Sequence, residues 1–389
     1  MGLVDTMSGN VLEPVTIKGL ELRNRFVAAA AADNRTGRGG TLAPAHLDWF
    51  RALARGGAGL VITGGVGIME EGRSGADNPS MAREKAVEEY TVLTKKVHDE
   101  GGKVALQLVH SGMWTARYQN AMRKEAISAS VTAKDNSYRH RGPMPAPGQF
   151  HAASLEEIDA ICAAFADAAA KGKEAGFDAV EVHAAHDSLL AQFMSPLTNQ
   201  REDEYGGSVE NRCRLHRQVA AAIRGRIGPD FPLLLKFGFE DGVKDGLVRE
   251  EGMAAAVLLA KDYDVLEVSL GLQGGPLSET VFRPIPKDGL GLFSDISHAL
   301  KERVSNPVVL TGGIRELDKA EELVAKKDAD LIGMCRPFVR QPALIKRWLQ
   351  GDTNKATCTS CNGCVLAIGK GQPLACQLDM QGLTIDPRR

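Results

Sequence analysis

Short apolar runs alternate with longer amphipathic stretches along most of this 389-residue chain. The apolar runs are five to seven residues long, rich in Val, Leu and Ala, and typical of strands buried in a parallel sheet. Eight strands are predicted, at residues 26–30, 59–63, 103–109, 179–183, 232–237, 264–269, 307–311 and 330–334.

Between these runs, apolar residues recur every three to four positions, which is the period of an amphipathic helix. The clearest example opens with the capping box Ser154-Leu-Glu-Glu157 and ends before Gly176. Helices are predicted at residues 45–55, 81–100, 154–175, 208–227, 249–261, 294–303 and 316–325. Eight strands alternating with helices predict an α/β fold, a (β/α)8 TIM barrel, with an open doubly wound sheet as the second choice.

Three further segments complete the predicted architecture. Residues 15–23 alternate around Lys18-Gly19, which predicts a hairpin that plugs one end of the barrel. The connections around residues 135–148 and 271–292 are too long for simple turns, so we expect them to lie over the barrel mouth. The barrel is expected to occupy residues 1–350, followed by a cysteine-rich extension at residues 351–389.

Composition narrows the classes of partner. Lys and Arg total 47 against 49 Asp and Glu, so the net charge of −2 gives no reason to expect a nucleic-acid surface. No stretch of 18 uncharged apolar residues and no signal-peptide pattern occurs, so we expect a cytoplasmic protein without membrane association. A small-molecule substrate and a homo-oligomeric assembly are the expected partners.

Two histidines follow the fourth predicted strand, in the sequence Glu181-Val-His183-Ala-Ala-His186. If the strand ends at His183 and the chain then turns, both imidazoles can face one pocket. Two neutral imidazoles offer N–H donors to a carbonyl or phenolate oxygen. The alternatives are a buried structural histidine and half of a metal site, for which no third ligand stands nearby.

Seven sequence blocks, in order along the chain, resemble the old yellow enzyme family of FMN-dependent oxidoreductases. The block at residues 192–212 is the longest and the most specific of them. The blocks are NRF at 24–26, ITGG at 62–65, QLVHSG at 107–112, EVHAAH at 181–186, QFMSPLTNQREDEYGGSVENR at 192–212, TGG at 311–313 and GMCRP at 333–337.

The resemblance implies FMN at the carboxyl ends of the barrel strands, reduced by NAD(P)H. It places backbone groups of Ala30 and Gly65 near the isoalloxazine ring and Gln107 at its pyrimidine edge. Lys236 would lie near N1 and O2, where a cation stabilises the anionic reduced flavin. The residues implied for the phosphate group are Gly312, Gly313, Cys335 and Arg336.

The resemblance also implies that His183 and His186 bind the carbonyl of an α,β-unsaturated substrate, whose activated C=C bond accepts hydride. Relatives usually carry a tyrosine as proton donor where this chain has Ser188, a much weaker acid. Tyr118, Tyr138 or water are the remaining donors. The alternatives are amine or ketone oxidation, desaturation, an FMN and iron–sulfur electron carrier, or a redox sensor.

Four cysteines crowd near the end of the sequence, at Cys358, Cys361, Cys364 and Cys376. Their spacing predicts a [4Fe–4S] cluster, with structural zinc or free thiols as alternatives. Their position resembles the cluster segment of the dienoyl-CoA reductase and trimethylamine dehydrogenase branch of the family. In that branch the cluster exchanges electrons with a nucleotide-binding module. No G-x-G-x-x-G follows a strand here, so a separate electron-transfer protein is expected.

Overall fold

The computed structural model describes residues 10–116, 125–131, 148–272 and 291–380. These residues contain thirteen strands, numbered β1 to β13 in chain order. Their bounds are Val15–Ile17, Leu20–Leu22, Phe26–Ala28, Leu60–Ile62, Val66–Gly67, Lys103–Val109, Ala126–Ser128, Phe150–Ala152, Ala179–Ala184, Leu233–Gly238, Val265–Ser269, Val308–Thr311 and Leu331–Met334.

Eight of these strands form a closed parallel barrel. Around the ring they run β3, β4, β6, β9, β10, β11, β12 and β13, and β13 pairs with β3. The β4–β6 pairing completes the ring, so the barrel is confirmed and the open sheet is wrong. Each barrel strand overlaps one predicted from the apolar runs, and β6 has the predicted bounds.

The antiparallel hairpin β1–β2 covers the amino ends of the barrel strands. Its turn uses Lys18 and Gly19 with φ of 51° and 78°, the left-handed region that a tight two-residue hairpin turn requires. Four buried hairpin side chains pack against inward-facing residues such as Leu60, Ala105 and Leu234. The predicted plug is therefore confirmed, and the opposite end of the barrel is left for chemistry.

Helices cover the outside of the barrel. The α-helices are Pro44–Arg55, Ala86–His98, Leu155–Glu174, Leu189–Met194, Val209–Arg212, Arg214–Ile227, Arg249–Leu259, Ser294–Lys301, Leu317–Ala325, Arg336–Arg340, Leu344–Leu349, Gly363–Gly369 and Gln377–Met380. Short 3-10 turns lie at Arg38–Gly40, Glu70–Gly72 and Gly112–Thr115. The predicted capping box at Ser154 and Glu157 is present in both directions. None of the described helices is long and apolar enough to cross a lipid bilayer.

Five of the seven predicted helices agree with the structure within two residues at each end, and two differ more. The helix predicted from residue 81 begins at Ala86, because the Met81 N–H bonds to the Gly67 carbonyl instead of entering a helix. The helix predicted over residues 208–227 is divided at Cys213. Cys213 keeps helical dihedral angles, so the division is a local change in hydrogen bonding and the chain keeps its direction.

The first long connection contains a small parallel sheet, β7–β8, which the sequence did not predict. Most of the second, residues 273–290, lies outside the described residues, as do Tyr118 and Tyr138. The described part of the extension lies against the loop after β3. There the Leu374 N–H donates to the Asp33 carbonyl at 2.8 Å, and Asn34 donates to the Ile368 carbonyl at 3.0 Å.

Candidate active site

A cavity of about 340 Å³ opens at the carboxyl ends of the barrel strands. Its volume is in the range of small-molecule sites, and its position is that of active sites in (β/α)8 barrels. The structure brings all the predicted substrate and flavin residues to its wall, although their roles stay predictions. They are Ala30, Gly65, Gln107, His183, His186, Lys236, Gly312, Gly313, Cys335 and Arg336.

Two buried glutamates that the sequence reading missed lie beneath the cavity floor. Gln107 donates to Glu181 at 2.6 Å, and Lys236 donates to Glu267 in a buried ion pair. Burial lowers the pKa of Lys236, but Glu267 and Glu181 outweigh it, so the pKa of Lys236 lies above its ordinary value. Lys236 is therefore a cation at neutral pH, as its predicted role requires. Side chains alternate between the two faces of a strand, and this alternation was the available sequence signal for these glutamates. It places Glu181 and Glu267 on the inward face of the barrel.

The far end of the cavity is suited to an anionic group. Gly312 and Gly313, directly after β12, have φ of 118° and 82°, and a Cβ on Gly313 would stand 3.2 Å from backbone atoms. Their N–H groups can therefore approach a ligand that side chains would obstruct. Among the described atoms, the buried Thr311 hydroxyl has no hydrogen-bond partner, and both Thr311 and Arg336 line the cavity. The chemistry of these residues fits the predicted FMN site, in which this end would hold the phosphate and the polar floor would lie under the ring.

The two histidines lie at the end of β9 and in the turn that follows. Their ring centroids are 5.1 Å apart at an angle of 67°, and both line the cavity. His186 and Asp187 adopt φ of 54° and 65°, so the chain turns sharply there, as the predicted geometry requires. His186 Nε2 and the Ser269 hydroxyl are 2.5 Å apart, which adds Ser269 to the site. No local sequence pattern indicated a role for Ser269.

Ser188 does not face the cavity. Its buried hydroxyl donates to the His183 carbonyl at 3.0 Å, at the start of the helix Leu189–Met194. It therefore braces the turn between the histidines and does not occupy the position of a proton donor. No tyrosine is among the described residues that line the cavity.

The extension forms part of the cavity wall, through Cys364, Val365, Ile368 and Leu374. Arg336 donates to the Asn362 side chain at 2.7 Å, and Arg315 donates to the Cys358 carbonyl at 2.9 Å. These bonds join the Arg336 end of the cavity to the cysteine segment. The residues predicted to bind flavin and the four cysteines are thus connected directly.

The four predicted metal ligands surround a second cavity of about 20 Å³. In the described residues, however, no group of three or more His, Cys, Asp or Glu side chains is arranged to hold a metal ion. Cys364 lines both cavities. Burial, followed by the neighbouring Cys364, raises the pKa of Cys335 to about 11, so Cys335 is a neutral thiol at pH 7. The metal assignment stays a prediction.

Comparison with known proteins finds relatives that match most of this chain. The NADH oxidase of Thermoanaerobacter brockii is 31% identical over 92% of this chain and 53% of its own length. The NADPH dehydrogenase of Clostridium acetobutylicum is 31% identical over 86% of this chain and 93% of its own length. A solved 2-naphthoyl-CoA reductase complex superposes with a TM-score of 0.84 at 25% identity, over 98% of this chain and 57% of that one.

The chain thus spans only about half the length of some relatives and nearly all of others. The model of the NADH:flavin oxidoreductase / NADH oxidase family matches residues 10–354, which include the whole barrel. The chain therefore belongs to the NADH:flavin oxidoreductase / NADH oxidase family, the family of the old yellow enzyme.

Proposed function

We propose that this protein is an FMN-dependent oxidoreductase that uses NADH or NADPH to reduce an activated C=C bond in a small enone or enoyl substrate. One observation carries the proposal. A single cavity is lined by the buried cation Lys236, by Gly313 and Arg336 at an end suited to an anion, and by an imidazole pair. This is the set of groups that hydride transfer to a polarised acceptor needs.

When bound, FMN supplies the hydride. The residues of the chain supply orientation and charge: Lys236 places a buried cation at the cavity floor, and Gln107 presents its amide beside it. His183 and His186 face the cavity, where an N–H donor stabilises negative charge that develops on a substrate carbonyl. The Ser269 hydroxyl fixes the orientation of the His186 ring.

The test is anaerobic spectroscopy of the protein loaded with FMN. NADPH or NADH should bleach the flavin bands, and 2-cyclohexenone should restore them. His183→Ala should leave bleaching intact and slow reoxidation by the enone at least tenfold, which is a loss of about 1.4 kcal/mol. His298→Ala, which removes an exposed imidazole on the outer helix Ser294–Lys301, is the control. Failure to bind FMN would overturn the proposal, and equal reoxidation by both variants would remove the role of His183.

Oxidation of an amine or ketone, or desaturation, is the second candidate. The orientation of Ser188 favours it, because reduction of a C=C bond needs a proton at the α-carbon and Ser188 points away from the cavity. Product analysis after single turnovers with 2-cyclohexenone and with cyclohexanone separates the two directions. Cyclohexanone formed from 2-cyclohexenone, with no enone formed from cyclohexanone, would exclude desaturation.

We also infer that Cys358, Cys361, Cys364 and Cys376 bind a [4Fe–4S] cluster that exchanges electrons with a separate protein. Their shared cavity supports this inference, and so does the position of Cys364 on the walls of both cavities. A cavity of about 20 Å³ holds roughly one water molecule, so cluster binding requires the cysteine segment to move outward.

Iron, sulfide and zinc assays on anaerobically purified protein test the cluster. Cys361→Ala should lose the iron, whereas Cys162→Ala, a buried cysteine on the helix Leu155–Glu174, should retain it. Stoichiometric zinc without sulfide would assign a structural metal instead, and no metal at all would leave free thiols. A cytoplasmic location and a homo-oligomeric assembly also stay proposals. Light scattering tests the assembly by measuring its mass in solution.

A further inference from the structure

A charged layer crosses the interior of the barrel directly under the candidate active site. Four neighbouring strands, β6, β9, β10 and β11, contribute Gln107, Glu181, Lys236 and Glu267 to it. Both glutamates are 0% exposed and Lys236 is 4% exposed. Barrel interiors are usually filled by branched apolar side chains, and buried ions are costly to desolvate. The layer therefore needs an explanation beyond packing.

The hydrogen bonds account for half of the carboxyl oxygens. Gln107 donates to Glu181 Oε2, and Lys236 donates to Glu267 Oε1. The other two oxygens, Glu181 Oε1 and Glu267 Oε2, are buried and accept no hydrogen bond from any donor among the described residues. Glu267 acts on the pKa of Glu181 both through its charge and as a neighbouring hydrogen-bonding side chain. Ionised carboxylates are acceptors only, so this contact is favourable when one of the two carries a proton.

The charge balance leads to the same conclusion. Two ionised carboxylates and one ammonium would leave a buried net charge of −1, whereas one retained proton makes the layer neutral. Burial, and then repulsion by Glu267, raises the pKa of Glu181 well above its ordinary value. The other groups that act on Lys236 are Glu267 and the neutral thiol Cys335.

We propose that Glu181 and Glu267 share one proton and act as positioning residues, holding the Lys236 ammonium in a neutral layer at the cavity floor. An anion that forms above the layer then gains the lysine charge without opposition from a net negative floor. This step rests on the proposed flavin site, because the anion in question is the reduced cofactor. The shared proton itself is a property of the protein alone.

Infrared spectroscopy of the cofactor-free protein tests the proton directly. At pH 8 the spectrum should contain the band of a protonated carboxylic acid that shifts in D₂O. Asp241, whose pKa burial raises to about 6, is ionised at that pH and does not interfere. Glu181→Gln and Glu267→Gln should each abolish the band, and Glu322→Gln, on the surface, should not. Absence of the band in the wild type overturns the proposal even if the variants fail to fold.

The flavin midpoint potential tests the charge. With one shared proton, either single variant keeps a single carboxylate against Lys236, so the ratio of reduced to oxidised FMN affinities should change less than threefold. The double variant leaves Lys236 uncompensated and should raise this ratio at least tenfold, about 30 mV for a two-electron couple. Two ionised carboxylates would instead give a large shift in each single variant, which contradicts the proposal. Failure to bind FMN would reject the flavin site and leave the infrared result standing.

Discussion

Removal of the Lys236 ammonium should destabilise the protein in a strongly pH-dependent way. Lys236→Met keeps the length of the side chain but leaves Glu181 and Glu267 buried without a cation. The layer must then bind a second proton or keep a buried carboxylate charge with no cation beside it. A buried charge without its partner costs about 3–5 kcal/mol.

The cost of the second proton follows from the ordinary glutamate pKa of 4.5. At pH 7 the solution is 2.5 pH units above that pKa, so protonating the carboxyl costs about 3 kcal/mol at 1.36 kcal/mol per unit. At pH 5 the same step costs under about 1 kcal/mol. Because the folded variant binds a proton that the unfolded chain lacks above pH 4.5, the variant loses stability as the pH rises.

Urea unfolding of the cofactor-free wild type and Lys236→Met at pH 5 and pH 7 measures this difference. The variant should be close to the wild type at pH 5 and about 3 kcal/mol less stable at pH 7. Lys326→Met, which removes an exposed lysine paired with Glu322, should cost less than about 1 kcal/mol at both pH values. An equal loss at both pH values for Lys236→Met would refute the reasoning. Adding Glu267→Gln to Lys236→Met should restore most of the stability at pH 7.

Three smaller predictions concern the site and its frame. Ser269→Ala removes the hydrogen-bond partner of His186 Nε2. It should lower kcat/KM for an enone roughly tenfold, about 1.4 kcal/mol, and leave the FMN content unchanged. Unchanged kinetics would exclude this role of Ser269. Gly313→Ala should weaken FMN binding at least tenfold in a fluorescence titration, whereas Gly351→Ala, also at positive φ but with open space around its Cβ, should not. Ser154→Ala should lower the free energy of unfolding by about 1 kcal/mol, and a change under about 0.3 kcal/mol would show that the cap is dispensable.

The barrel was predictable because its signals are local. Each barrel strand is a short, mostly apolar run, and the box at Ser154 and Glu157 marks a helix start within four residues. The three-residue strands β7 and β8 lack such a signal, since each is too short to show a period and, within the described residues, they pair with each other and not with the barrel.

The candidate site was predictable where its residues belong to sequence motifs, as His183 and Gly313 do. Glu267 and Ser269 are recognisable only after strand pairing is known, because their partners lie 31 and 83 residues away. The orientation of Ser188 was likewise hidden, because it depends on the left-handed turn at His186 and Asp187, which β-carbon-bearing residues seldom adopt. Contacts between elements, and not composition, decided these positions.

The contribution of the extension to the cavity wall has a consequence for synthesis. Domains emerge from the ribosome amino end first, and all eight barrel strands precede the wall residues Cys364, Val365, Ile368 and Leu374. The barrel can therefore close, through the pairing of β13 with β3, before the pocket is complete. A nascent chain at that stage has a folded core and an unfinished cavity, so cofactor capture should follow closure of the barrel and wait for the extension to dock.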